Sequence, residues 1–333
     1  MASSIPTEAC EPSISKTFPR DGLAVTACEM GTKYFVIAKE AALYLFNFTD
    51  NSLTALQENG NITWSLALRE DKDLLVTGGT EGEVRIWNIQ TKSVIRSLKG
   101  HSATVRSLQL VDDTTLISGS RDSTICIWDL GSDAADPKLI LKGHTGTVRC
   151  LKVHGGVVVS GGYDGEARVW DIHTGQCLHV LKGHTAAVYD LCFNGSRIIT
   201  GSLDSTIRVW DPRSGACLGV LSGHSGVVTR LILRDDTLLS ADSAGLVKVW
   251  SLDNAPGRTI SEEKGGSVIS LVADEENTLI GNTNGTVYLV NHVSGATKSL
   301  VTGADAVWNV VFTPSNRPLS VYLKGGDTQL NIF

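Results

Sequence analysis

Three arginines stand at related places in the sequence. Arg106 and Arg149 each close a Thr-Val-Arg triplet, Thr104-Val105-Arg106 and Thr147-Val148-Arg149, while Arg121 sits just before an acid in Ser118-Gly119-Ser120-Arg121-Asp122. Two tyrosines share these placements: Tyr163 precedes Asp164 as Arg121 precedes Asp122, and Tyr189 follows Ala187-Val188 as Arg149 follows Thr147-Val148. A guanidinium offers a planar fork of five donors and stays charged, so three of them brought together suit a dianionic phosphate, with the phenols as neutral donors. None of these positions is a carboxylate, and like charges held close are costly unless an anion joins them.

A second constellation suggests other chemistry, since Ser, His and Asp occur together, as in Ser118, His101 and Asp122. That is the composition of a nucleophilic triad, but the same trio returns with His144 and with His184, whereas a catalytic centre is built once, in one cleft. Repetition therefore argues for a structural role, and no catalytic residue is expected. No metal-ligand spacing and no phosphate loop stands out either, so no metal and no cofactor is expected.

These residues are positioned by a repeat. Phe46, Trp87, Trp128, Trp170, Trp210, Trp250, Val290 and Phe333 follow one another at intervals that fall within the roughly 40 to 45 residues of a four-stranded propeller blade. In the third unit, Val105 to Leu110, Thr115 to Ser118, Ile125 to Trp128 and Leu139 to Leu141 read as successive strands, inner to outer, separated by turn residues. No segment sustains a 3.6-residue apolar period. The fold class is all-β, an eight-bladed propeller.

Gly-His recurs at His101, His144, His184 and His224, and Trp-Asp closes units at Trp128, Trp170 and Trp210, a pattern that resembles the WD-repeat family. The resemblance implies tetrads in which His bonds Asp, and Ser or Thr bonds both His and Trp. On this chain the sets are His101, Ser118, Asp122, Trp128; His144, Ser160, Asp164, Trp170; and His184, Thr200, Asp204, Trp210. In the sixth unit Ala244 stands where the acid is expected, and in the second Asn59 and Glu81 replace His and Asp; the first, seventh and eighth units lack the tetrad.

The last unit ends at Phe333 after its third strand, and an open propeller would leave unpaired edges. Ile14 to Phe18, leading to Gly22-Leu23-Ala24-Val25, parallels the outer strand of another unit and is expected to close the ring. Residues 1–11 are expected to form a disordered tail and residues 12–333 the propeller.

The net charge of -6 argues against a general nucleic-acid or acidic-membrane surface, so a basic site must be local. Seven cysteines without a C-x-x-C pair, with Cys177 and Cys217 at one repeat position, read as small apolar filling of strands in a reducing compartment. No secretory leader and no run of about 18 apolar residues is present, so the expected location is the cytoplasm or nucleus.

Around the ring the inner-strand entrance carries Thr26, Trp64, Arg106, Arg149, Tyr189, Thr229, Ile269 and Trp308, and the residue before the turn acid is Thr80, Arg121, Tyr163, Leu203, Ser243 or Thr283. This arrangement, with Gly162-Tyr163-Asp164 and Ala306-Val307-Trp308-Asn309-Val310, resembles the F-box/WD-repeat substrate receptors of SCF ubiquitin ligases, of the cell-division-control type. The resemblance implies that Arg106, Arg121 and Arg149 grip a phosphothreonine or phosphoserine, that Tyr163 and Tyr189 assist, and that Trp64, Thr80, Thr104 and Trp308 line a pocket for the following proline and its neighbours. The expected partner is thus a phosphorylated protein. The alternative is a scaffold that docks folded partners without phosphate dependence. Only about twenty residues precede the first strand, too few for the helical F-box, so ligase components would be reached through a module outside this chain.

Overall fold

The computed structural model describes residues 10–19, 23–56, 60–252, 255–262, 266–292 and 294–333. They form eight four-stranded antiparallel sheets, the blades of an all-β propeller, with one three-residue 3-10 helix, Glu70–Lys72. The strands group into two compact units. One, Leu23–Ser222, holds blades 1 to 5, and the other, drawn from residues 1–22 and 223–333, holds blades 6 to 8.

Within each unit the core lies between consecutive sheets. Val76, Val84 and Ile86 of blade 2 pack with Val105, Leu116 and Trp128 of blade 3, and Ile117, Ile125 and Leu141 of blade 3 pack with Val148, Val158 and Trp170 of blade 4. Second strands are covered on both faces, which is why Thr115–Ser120 and Val157–Gly162 are buried after their first residue. Small residues are needed there. A Cβ on Gly119 would lie 2.7 Å from Val148 of the next blade, and one on Gly161 2.6 Å from Val188.

The N-terminal strand behaves as its sequence parallels indicate. Ile14–Thr17 pairs antiparallel with the end of the chain, Ile14 opposite Ile332 and Thr17 opposite Gln329, and completes blade 8. Met1–Ala9, most of the expected tail, lies outside the described residues, while Cys10 packs against the cluster between blades 7 and 8.

The three expected tetrads form. In blade 3, Trp128 Nε1 donates to Ser118 Oγ at 2.8 Å, Ser118 meets His101 Nε2 at 2.8 Å, and His101 Nδ1 meets Asp122 at 2.9 Å. The indole has only a proton to give, so Ser118 passes its own to Nε2 and the imidazole presents Nδ1–H to the carboxylate. Blades 4 and 5 repeat this with His144, Asp164, Ser160 and Trp170, and with His184, Asp204, Thr200 and Trp210.

Blade 6 corrects the sequence reading. Its tetrad is complete, because Asp242, two residues before Ala244, supplies the carboxylate: His224 Nδ1 lies 3.0 Å from Asp242, Nε2 2.6 Å from Ser240, and Trp250 donates to Ser240 at 2.7 Å. Asp242 faces Val228 across the sheet as Ser202 faces Val188, so the acid comes from the end of the strand instead of the turn. Burial alone would raise this carboxyl, but hydrogen bonds from His224 and from the amides of Leu246 and Ala244 outweigh it and lower it to about 2. In blade 2 Trp87 still donates to Thr77 at 3.0 Å, while Asn59 lies outside the described residues and Glu81 instead accepts from Asn61.

The cysteine reading needs a second correction. Cys126, Cys150 and Cys192 are buried, but Cys177 and Cys217 are exposed, because they begin outer strands, which have no fifth strand beside them.

Candidate functional site

Every blade carries the same aiming device. Where the inner strand starts, the register with the second strand skips one residue, a β-bulge, at Val25/Ala27, Thr63/Ser65, Val105/Ser107, Val148/Cys150, Val188/Asp190, Val228/Arg230, Val268/Ser270 and Val307/Asn309. The skipped residues are Thr26, Trp64, Arg106, Arg149, Tyr189, Thr229, Ile269 and Trp308, the eight entrance positions read from the sequence. A bulge bends the strand and turns the extra side chain out of the ladder.

The residue before the turn acid is tied to the same place. The amide of Arg121 donates to Thr104 O at 2.8 Å, that of Tyr163 to Thr147 O at 2.9 Å, and that of Thr80 to Ile62 O at 3.1 Å. Each blade therefore presents three neighbouring side chains: the residue two before the bulge, the bulge residue and the turn residue.

In blades 2 to 4 these side chains, Arg149 excepted, line one open pocket of about 370 Å3, formed by Ile62, Trp64, Thr80, Thr104, Arg106, Arg121, Thr147 and Tyr163. Six of these are sequence-expected site residues. Ile62 and Thr147 were not expected to line it; both hold the position of Thr104, two before a bulge, and that equivalence was the available signal.

The pocket is rigidly built. Trp64 Nε1 donates to Thr80 Oγ1 at 3.2 Å, Thr80 Oγ1 donates to Ile62 O at 3.2 Å, and Thr104 Oγ1 donates to Thr80 O at 3.1 Å. The guanidinium of Arg106 lies over the Trp64 ring at 4.6 Å, and that of Arg149 over Tyr189 at 4.6 Å. Arg149 and Tyr189 thus form a pair beside the pocket instead of lining it.

Electrostatically Arg106 feels the other two arginines. Burial, then the charges of Arg149 and Arg121, lower the pKa of Arg106, opposed by Tyr163 and Tyr189. For Arg149 burial also pulls downward, but the hydrogen bond with Tyr189 and the phenols around it prevail, and its pKa is raised. Its Nε is buried without a partner. Among the described residues no Asp or Glu stands within ion-pair distance of Arg106, Arg121 or Arg149. Two of the third-strand arginines differ: Arg85 pairs with Glu83 and Arg168 with Glu166, both at 2.6 Å, while Arg208 lies by Cys217 and the Trp210 ring.

Trp308 belongs to the other unit. It occupies the bulge of blade 8, the register position that Trp64 holds in blade 2, and its Nε1 is buried without a partner.

The pattern of the family described as WD domain, G-beta repeat, matches residues 51–88, 92–129, 135–171, 175–211 and 215–251, more than half of the chain. The chain belongs to the WD-repeat family. Its relatives are diverse. It is 30% identical over 149 residues to WD repeat-containing protein pop2 of Schizosaccharomyces pombe, covering 35% of this chain and 21% of that protein. It is 30% identical over 146 residues to apoptotic protease-activating factor 1 of Rattus norvegicus, covering 43% of this chain and 11% of that one. The matched part thus spans about a fifth or less of these relatives' length. Among solved structures, the computationally designed Ika8 protein matches with a TM-score of 0.85 at 25% identity, over 95% of this chain and 98% of that one. This WD-repeat protein is accordingly a scaffold for protein interactions, and neither the matched family nor these relatives indicate an enzyme.

Proposed function

We propose that the face formed by blades 2 to 5 binds a phosphothreonine or phosphoserine followed by proline on a partner protein, as the substrate receptors of SCF ubiquitin ligases do. Arg106, Arg121 and Arg149 hold the phosphate, and Tyr163 and Tyr189 assist as neutral donors. Trp64, Thr80 and Thr104, joined by Ile62 and Thr147, receive the proline and its neighbours. The observation that supports this reading is that Arg106 feels the like charges of Arg149 and Arg121 while, among the described residues, no carboxylate lies in ion-pair range of the three. A phosphoryl group supplies about -1.5 to -2 of the missing negative charge. Each charge-assisted hydrogen bond contributes about 1.5 to 3 kcal/mol, which makes affinity depend on phosphorylation. Such a reader of phosphorylated proteins works in the cytoplasm or nucleus.

Calorimetric titration with a phosphothreonine-proline peptide and its unphosphorylated twin tests this. The expected gap is at least about a hundredfold, from two or more charge-assisted bonds. Equal affinities would leave the phosphate-independent scaffold.

A further inference from the structure

The bulge residues of blades 2 to 5 form a row within the unit Leu23–Ser222: Trp64, Arg106, Arg149 and Tyr189, two cations between two aromatics. Each guanidinium lies over the ring on its outer side. Arg106 of blade 3 covers Trp64 of blade 2, and Arg149 of blade 4 covers Tyr189 of blade 5, both at 4.6 Å, so the two like charges lean in opposite directions along the row. By contrast, Arg208 and Lys248 lie over Trp210 and Trp250 of their own blades, farther off at 6.0 and 5.5 Å.

The rings are what hold these two side chains. Among the described residues the Arg106 guanidinium makes no ion pair and no hydrogen bond, so the face of Trp64 is its fixed contact. Arg149 adds a hydrogen bond with the Tyr189 phenol, while its Nε is buried without a partner. A long, rotamer-rich side chain gives up freedom when it grips an anion, and a contact that already fixes it in the free protein reduces that cost at the moment of binding.

The Trp64 ring is itself fixed. Its Nε1 donates to Thr80 Oγ1 at 3.2 Å, and Thr80 Oγ1 donates to Ile62 O at 3.2 Å, which anchors the indole to the backbone of its own blade. One face of the indole and its N–H are therefore engaged inside the protein. Arg121 is placed differently: it is a turn residue, its amide donates to Thr104 O, and it lies over no ring among the described residues.

We propose that Trp64 and Tyr189 are positioning residues of the phosphate site, each ring holding the guanidinium of its neighbouring arginine ready for the anion. Trp64 thus acts on the phosphate through Arg106, besides lining the pocket. This inference rests on the phosphopeptide reading above.

A double-mutant cycle read by calorimetric titration tests it. Trp64→Leu should weaken a phosphothreonine-proline peptide about three- to thirtyfold, the span of a cation–π contact from exposed to desolvated sites, and the loss should persist with a peptide carrying alanine in place of the proline. In an Arg106→Ala background the same change should alter affinity by less than about twofold. Trp64→Phe, which returns a ring without the indole N–H, should recover affinity to within about threefold of the parent. Tyr189→Leu against Arg149→Ala repeats the cycle on blades 4 and 5, and it decides the question if the melting temperature shows that a Trp64 variant does not fold. A Trp64→Leu loss that survives intact in Arg106→Ala, that vanishes with the alanine peptide, or that Trp64→Phe does not rescue overturns the proposal and leaves the phosphate reading standing; so does the absence of any loss. Equal affinity of the parent for phosphorylated and unphosphorylated peptides overturns that reading and this inference together.

Discussion

Blade 3 and blade 6 have the same tetrad and the same inner-strand bulge, but they do different things with them. In blade 3 the bulge residue is Arg106, which lies over Trp64 of the neighbouring blade, and the turn residue is Arg121, whose side chain faces the pocket. In blade 6 the bulge residue is Thr229, whose hydroxyl donates to Val268 O at 2.7 Å, and the turn residue is Ser243, whose hydroxyl oxygen accepts the amide of Val227 at 3.0 Å. The backbone aims a side chain in both. Blade 6 uses its side chains to satisfy backbone groups of blades 6 and 7, while blade 3 turns its guanidiniums toward the pocket. The repeat thus separates positioning, which every blade performs, from chemistry, which depends on residue type at two or three places.

The largest effect that would break this comparison is on binding. Arg106→Ala or Arg121→Ala should weaken a phosphothreonine-proline peptide by about 10- to 150-fold, as the loss of about 1.5 to 3 kcal/mol predicts, with the melting temperature held. Thr229→Ala, at the equivalent place in blade 6, should leave peptide affinity unchanged in the same titration. If the two variants behaved alike, residue type would not be what distinguishes the blades.

The tetrads should differ from the pocket in the opposite sense, affecting stability and not phosphopeptide affinity. Asp242→Ala leaves the buried His224 without its carboxylate and should cost about 1 to 3 kcal/mol in urea unfolding. Ala244→Asp, which restores the acid at the place occupied by Asp204 in blade 5, should change stability by no more than about 0.5 kcal/mol, because the partner already exists.

Acid sensitivity sharpens the same point. Asp204 and Asp242 titrate at about 2 in the folded protein, well below the roughly 3.9 of an unfolded aspartate. Their contribution is therefore complete above about pH 4 and is lost as the pH falls toward 2. Burial lowers the pKa of His184 despite Asp204, so protonation of its imidazole also opposes folding as the pH drops below its unfolded value. Unfolding midpoints against pH should fall on the acid side, and less steeply in Asp242→Asn than in the parent.

The smallest effect is expected at the pocket edge. Thr80→Val removes the hydroxyl that accepts the Trp64 indole and should reduce peptide affinity no more than about fivefold, the scale of one neutral hydrogen bond.

Much of this was legible from spacing, because a blade is a local object. Its alternating strands, the Gly-His and Trp-Asp marks and the residues at the strand entrance all recur within one period, so Arg106, Arg121 and Arg149 could be placed on corresponding loops before any coordinates. The tetrad of blade 6 escaped for a physical reason. A carboxylate two residues earlier in sequence reaches the same imidazole when it stands at the strand end, and linear alignment of turns does not register side-chain reach. Ile62 and Thr147 were missed similarly, since their part in the pocket comes from a backbone bond to a turn residue sixteen to eighteen positions ahead.

By itself, then, the sequence determined the repeat, the sheet class, three of the four tetrads and which loops carry guanidinium, since each is set by residue type at a fixed interval. Only the tertiary structure decided that the entrance residues are bulged, that among the described residues no carboxylate lies in ion-pair range of the three arginines, and that Cys177 and Cys217 are exposed where Cys126 is covered. Those are matters of what approaches from other strands, and spacing along a chain carries no record of it.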